Sequence, residues 1–332
     1  MNTNMLSRMR LSNCVALVLI AAFAVAPLVA HGIGQPFYIV LISRIMIFAI
    51  AAIGVNLALG YVGMVSLGHA LYIGIGAYAV AISLHSGLAN GWAHLLIALA
   101  AGGVIAVPIG LVCLRTSGFG FVMITLAFSQ MFFYLAVGLR QYGGDEGMPL
   151  PSRSAFFPLD AANATTFYYM AFFVLMLVLL LLHRLIHARF GMVIRGCKLN
   201  EARMRALGFS TLRHKLVAYV ISAEICVLAG VLLANLTRFA TPSYLEWIMS
   251  GDLVVMTVLG GAGTLIGPLV GATVWVVLEE LLASFYIDLP WNLSEFIRSN
   301  WTAVLGIVII VVTLTLKKGL YGFLVARDGG VR

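Results

Sequence analysis

DLVVMTVLGGAGTLIGPLVGATVWVVLEELLAS, residues 252–284, is apolar enough to enter a bilayer, but glycine and proline interrupt it half way. Gly260-Gly261, Gly263 and Gly267-Pro268 fall in its middle. Paired glycines weaken a helix and proline cannot continue one from its N-terminal side. The stretch therefore reads as two short helices or a re-entrant hairpin, entering and leaving on the same side. Broken backbone at membrane depth is tolerated only against protein or a water-filled cavity, so this segment should face the interior. Gly263, Gly267 and Gly271 recur every four residues, a spacing that lets helices approach closely. No Lys-Ser/Thr follows these glycines, which excludes a phosphate loop.

The rest of the chain sets this segment in context. Of 332 residues, 62% are hydrophobic and 10% charged. A soluble domain carries about 25% charged residues. Apolar runs near 14–31, 38–59, 65–85, 93–114, 119–139, 166–187, 215–236 and 300–316 each approach the ~20 residues a spanning helix needs. The fold class is all-α: a polytopic integral membrane protein of about 8–10 helices, counting the broken segment. It forms a single transmembrane domain over 1–332, with no soluble domain. The first run follows Arg8 and Arg10 and precedes Ala24-Val25-Ala26-Pro27. Proline directly after a cleavage-like site favours an uncleaved first helix over a signal peptide.

Charge orients the bundle. The net charge is +8. Eight of the 20 Lys/Arg residues lie from Arg184 to Lys215 (Arg184, Arg189, Arg195, Lys198, Arg203, Arg205, Arg213 and Lys215). The positive-inside rule makes the 188–214 loop cytoplasmic. Counting outward, both termini, Arg115 and Lys317-Lys318 are inside. The 140–165 loop, with Asp145, Glu146 and Asp160, is outside. These assignments agree only if 252–284 crosses an even number of times. Basic residues at the ends of apolar runs do not indicate nucleic acid. Cys14, Cys113, Cys197 and Cys226 form no CxxC pair and read as buried small hydrophobes.

Two further segments are distinctive. Gly60 to Tyr78, GYVGMVSLGHALYIGIGAY, is rich in small residues. On a helix Ala70, Gly74 and Ala77 share one face; Gly68, Tyr72 and Gly76 share the next. Ser66 and His69 are polar groups at membrane depth that need partners. Ser66, His69, Tyr72, Gly74, Gly76, Glu224, Gly260, Gly261, Gly263 and Gly267 are thus candidates either for the translocation path or for helix packing. Glu224 falls mid-span and must be paired, protonated or wetted. Arg44 lies nearer the outer end of its span, within snorkelling reach of the interface. His183 and His187 lack the glutamate of a zinc-protease motif and read as interfacial.

In the inner loop, NEARMRALG (residues 200–208) predicts a short helix. Asn200 is an N-cap, Glu201 suits the positive end of the dipole and pairs with Arg205 at i,i+4, and Gly208 is a C-terminal stop. Alone, these residues fit a short cytoplasmic helix with a role of its own and a solvated basic loop against anionic lipid equally well.

The order and spacing of five segments resemble the LivM-type permease subunit of branched-chain amino acid ABC importers, over roughly residues 38–320. The segments are Gly60–Tyr78, Gly143–Gly147, Phe190 to Gly208, Ser250–Asp252 and Gly260–Gly271. The resemblance implies a bacterial inner-membrane importer subunit working by alternating access. Its partners would be a second LivH-like permease, two ATP-binding subunits and an extracytoplasmic solute-binding protein. The chain itself would bind no cofactor; ATP would be used by partner subunits. Glu201, Ala202 and Gly208 look like the Glu-Ala-Ala…Gly coupling element of such importers, with Arg203 in place of the second alanine. Arg205, Ala206 and Leu207 complete the segment expected to dock on an ATPase. Related permeases handle urea, short amides or aromatic acids. An ion-coupled carrier using Glu224, or a membrane enzyme using His69 or the His183/His187 pair, is the alternative of a different class.

Overall fold

A computed structural model describes residues 11–33, 35, 37–157, 163–284, 301–315 and 319–327. Arg8, Arg10, Asp160, Lys317 and Lys318 lie outside the described residues. The elements are α1 (Leu11–Ile33), α2 (Phe37–Asn56, continued by a π turn Leu57–Val62), α3 (His69–His85), α4 (Gly91–Cys113), α5 (Phe119–Gly138), β1 (Met148–Pro149), α6 (Ala164–His187), α7 (Arg189–Leu199), α8 (Glu201–Ala206), α9 (Thr211–Thr237), β2 (Phe239–Ala240), α10 (Trp247–Gly260), α11 (Gly267–Ala283), α12 (Trp301–Thr315) and α13 (Leu320–Arg327). Phe37–Val62, α4, α5, α6 and α9 are long and apolar enough to cross a membrane.

Helices α2, α3 and α9 make the centre, and α9 packs on α2, α3 and α4. Small residues permit it. Gly76 of α3 lies against the Val227 carbonyl of α9, and Gly230 of α9 lies against the Ile73 carbonyl of α3; a Cβ at either would collide with that backbone. The two glycines thus bring α3 and α9 into backbone contact, where dispersion replaces the hydrophobic effect as the force between membrane helices. In α1, Pro27 leaves the carbonyl of Phe23 without its helical donor, and the Tyr168 hydroxyl of α6 donates to that carbonyl at 2.6 Å. This bond fastens the first helix to the bundle.

The two ends of the bundle differ. At one, β1 pairs antiparallel with β2 through Met148↔Ala240, and Gly91 N–H donates to the Ala155 carbonyl at 2.7 Å. At the other stand α7, α8, the π turn and the turn between α10 and α11. The broken segment is a hairpin: α10 ends where Gly261 takes φ +122°, and α11 returns beside it. Gly260 and Gly271 sit at the crossing in backbone contact, and Gly267 closes on the Gly261 carbonyl. Gly263, with φ +83°, belongs to the turn and not to a helix face as its spacing suggested.

Two other expectations are corrected. The span expected at 65–85 begins only at His69, because Gly63 takes φ +84° and side chains occupy the following backbone donors. Thr125 Oγ1 accepts from Leu67 N–H, Ser66 Oγ from Gly68 N–H and Ser250 Oγ from Ala70 N–H. Gly68 therefore precedes the helix and does not share a face with Tyr72 and Gly76. Arg44 does not snorkel; its guanidinium donates to Glu279 Oε1 of α11 at 2.9 Å.

Candidate functional site

Among the candidates at membrane depth, Ser66, His69, Tyr72, Gly74 and Gly76 are packed inside the protein. His69 is fully buried between α3 and α9, with Nε2 2.8 Å from Ser222 Oγ. Ser222 spends its single proton on the Gly54 carbonyl at 2.6 Å. His69 must then donate from Nε2, which leaves Nδ1 an acceptor with no partner among the described residues. Tyr72 donates to the Tyr219 hydroxyl at 3.0 Å, and the rings of His69, Tyr72 and Tyr219 meet edge to face. This network joins α2, α3 and α9 across the centre of the bundle, where an unbonded polar group is costly. Gly74 admits Leu245. Glu224 is apart from this network, with its carboxylate beside Gly102 and Gly103 of α4; its Oε2 has no partner among the described residues.

The second cluster is at the basic end. The sequence builds α8 locally. Asn200 is extended (φ −159°) and its Oδ1 accepts from Arg203 N–H at 2.9 Å; Gly208 is left-handed (φ +86°). Between these caps lie six helical residues, too few to be stable alone. Tertiary bonds hold them. Glu201 Oε1 accepts from Arg205 at 2.6 Å and from Thr211 Oγ1 at 3.1 Å, and Oε2 pairs with Lys215 of α9. Partial burial alone would raise the Glu201 carboxyl; the bonds from Lys215, Arg205 and Thr211 outweigh it and bring it down to about 2. Glu201 is therefore a tether fixing α8 to the bundle. Ala202, Arg205, Ala206, Leu207 and Gly208 face outward.

Two features of this end escaped sequence reading. One is α7, whose buried Val193, Ile194 and Cys197 lie at helical spacing among basic residues. The other is an apolar rim: Leu199, Leu207, Phe209 and Leu212 are 87, 65, 42 and 47% exposed around α8.

A chain of contacts runs from this surface into the membrane core. Lys198, the last-turn lysine of α7, donates to the Gly60 carbonyl at 2.5 Å. Gly60 abuts the backbone of Gly263. Asn56 stitches the same place, Oδ1 accepting from Gly263 N–H and Nδ2 donating to the Thr264 carbonyl, each at 2.8 Å. The α7–α8 unit thus touches the end of α2, which in turn abuts the α10–α11 turn, and, through Glu201–Lys215, α9.

Comparison with known proteins agrees with this architecture. Residues 37–313 match the family described as branched-chain amino acid transport system, permease component. The LivM branched-chain amino acid permease protein of Escherichia coli is 30% identical over 268 residues, 72% of this chain and 62% of its own length. The match thus spans less than two thirds of that relative. E. coli LivH is 24% identical over 83% of this chain and 91% of its own length. The autoinducer 2 import permease protein LsrC of an Enterobacter species is 28% identical over 83% of this chain and 80% of its own length.

Proposed function

Starting from a chain that belongs to the branched-chain amino acid permease family, with its several apolar spans, we propose that it is the membrane subunit of an ATP-driven importer. Its solute would be a branched-chain amino acid, as the names of the LivM and LivH relatives suggest. The match to LsrC, named for a different solute, means that this architecture alone does not fix the substrate. The working complex would pair this chain with a LivH-like permease, two ATP-binding subunits and an extracytoplasmic solute-binding protein.

The observation that carries the reading is α8: a short capped helix with an apolar rim, held at the basic end by Glu201 and Lys215. Such a helix offers a knob for a groove in an ATPase. The basic residues around it support a cytoplasmic position for that end, which would leave the 140–165 loop outside. Closure of the ATPases would push α8 and α7, and the Lys198–Gly60 and Asn56–Gly263 bonds would pass that displacement to α2 and the α10–α11 hairpin. The membrane domain would then alternate between outward-open and inward-open forms.

Co-expression with the ATP-binding subunits and the second permease tests this. A stable complex whose ATP hydrolysis rises with solute-loaded binding protein is expected. A chain that inserts but recruits no ATPase would sink the reading.

A further inference from the structure

Helices α2, α10, α11 and α12 enclose a cavity of about 580 Å³, within the ~300–1,000 Å³ range of small-ligand sites. Its walls are layered. Arg44 and Phe48 come from α2, Asp252 and Met256 from α10, Glu279 and Trp275 from α11. Each pair is four residues apart, so its members share a helix face one turn apart. Helix α10 runs toward the Gly260–Gly263 turn and α11 away from it, and Asn56 near the end of α2 holds that turn. In all three helices the apolar member is therefore nearer the turn and the charged member farther from it.

The charged layer lies deep. At ~1.5 Å per residue, Arg44 is about 18 Å from Asn56, Asp252 about 12 Å from Gly260 and Glu279 about 18 Å from Gly267. Half of a hydrocarbon core is about 15 Å. These groups thus stand near the middle of the membrane, and Glu246 adds a third carboxylate to the same cavity. Ionisable side chains at such depth are costly, and they line water-filled cavities or solute paths.

The charges do not cancel. Arg44 pairs with Glu279, which accounts for one carboxylate of three. The Asp252 and Glu246 carboxylates have no ion-pair partner among the described residues. Glu279 is close enough to act on Asp252 electrostatically, like charge on like. Among the described residues no three acidic, histidine or cysteine side chains converge as metal ligands. The Arg44 side chain is 38% exposed and gives Glu279 one N–H; a guanidinium has five, so donors remain for an anionic group.

We infer that this cavity is a solute site inside the single subunit, and that its ligand carries a primary ammonium beside a carboxylate, with an aliphatic tail. The inference rests on the reading of the chain as part of an amino acid importer. Asp252 and Glu246 take the ammonium, the remaining N–H groups of Arg44 take the carboxylate, and Phe48, Met256 and Trp275 receive the tail. Because carboxylates outnumber the guanidinium, the ammonium is the group the site cannot do without. An ethanolamine phospholipid carries similar charges, but headgroups stay outside the hydrocarbon core and this charged layer is near its middle. The face of α10 that holds Asp252 leads to the turn bound by Asn56 and Gly60, so displacement of α7 and α8 reaches the site along one helix.

Photolabelling with a leucine analogue bearing a side-chain diazirine, on the complete complex in nanodiscs with its binding protein, tests it. Labelled peptides are mapped, and leucine uptake by the same preparation in proteoliposomes is measured in parallel. The expected adducts fall on α2, α10 or α11 around Phe48, Met256 and Trp275. Excess leucine suppresses them, and the 2-oxo acid of leucine, which lacks the ammonium, does not. Asp252→Asn and Glu246→Gln, both nearly the same size as the native residue, lower the labelling by about tenfold or more, the factor expected for a lost hydrogen bond to a charged group. In a complex that takes up leucine, adducts only outside these helices, labelling unchanged in both variants, or an ethanolamine lipid retained in the cavity in place of the label overturns the site. A complete complex that takes up no amino acid overturns the importer reading on which the site rests.

Discussion

Gly208 gives a test in which backbone conformation can be varied with almost nothing else. Its φ is +86°, and a Cβ placed there would meet no atom within 4 Å. Any cost of substitution is therefore conformational. A left-handed residue with a side chain costs about 1–2 kcal/mol, asparagine less than alanine, and a β-branched residue most. Six helical residues have no stability to spare on their own. If the whole cost falls on the order of α8, the ordered fraction falls by up to about 5- to 30-fold. An ATPase that binds only the ordered helix then shows an apparent Kd raised by the same factor. Binding of the ATP-binding subunits to the permease in nanodiscs should weaken in the order Gly208→Asn, Gly208→Ala, Gly208→Val, with insertion unchanged. Equal binding by all three, or asparagine as damaging as valine, would refute the reasoning.

Three further outcomes are expected. Gly267→Leu should lower the yield of folded protein in the membrane by an overpacking cost of about 1–3 kcal/mol or more, because a Cβ there collides with Thr264 Oγ1 and lies 2.6 Å from the Gly261 carbonyl; wild-type yield and melting would refute this. Glu279→Gln should cost about 1–2 kcal/mol in thermal unfolding, the pair being partly exposed, and Arg44→Met in the same chain should recover part of it. The Glu201 carboxyl lies at about 2 against an ordinary 4.5, so its contribution to α8 is complete above pH 4.5 and disappears as pH falls toward 2. Amide exchange across residues 201–206 should accordingly be protected at pH 5 and lose that protection below it, and Glu201→Gln should flatten the dependence.

The spans were legible in the sequence because a bilayer dictates both length and composition. The hairpin was legible for a related reason: Gly260-Gly261 and Gly267-Pro268 interrupt an apolar run that is otherwise too long for one crossing. Helix α8 could be read because Asn200 and Gly208 act locally. What escaped is long-range. The unwinding of 63–68 depends on Thr125 and Ser250, far along the chain. The partner of Arg44 is 235 residues away. The small residues of 60–78 did not disclose their neighbours; Gly76 lies in backbone contact with α9 and Gly74 against Leu245. Helix α7 was within reach, since Val193, Ile194 and Cys197 repeat at helical spacing, but its two arginines and one lysine made it read as part of the basic loop.

The most direct test of the account is solute uptake into proteoliposomes carrying the complete complex, with binding protein outside and ATP inside. The account predicts uptake of a branched-chain amino acid that requires ATP and the ATP-binding subunits, survives collapse of ion gradients, and persists in a Glu224→Gln variant. Uptake by this chain without ATPase subunits, driven by a proton gradient and abolished by Glu224→Gln, would contradict it.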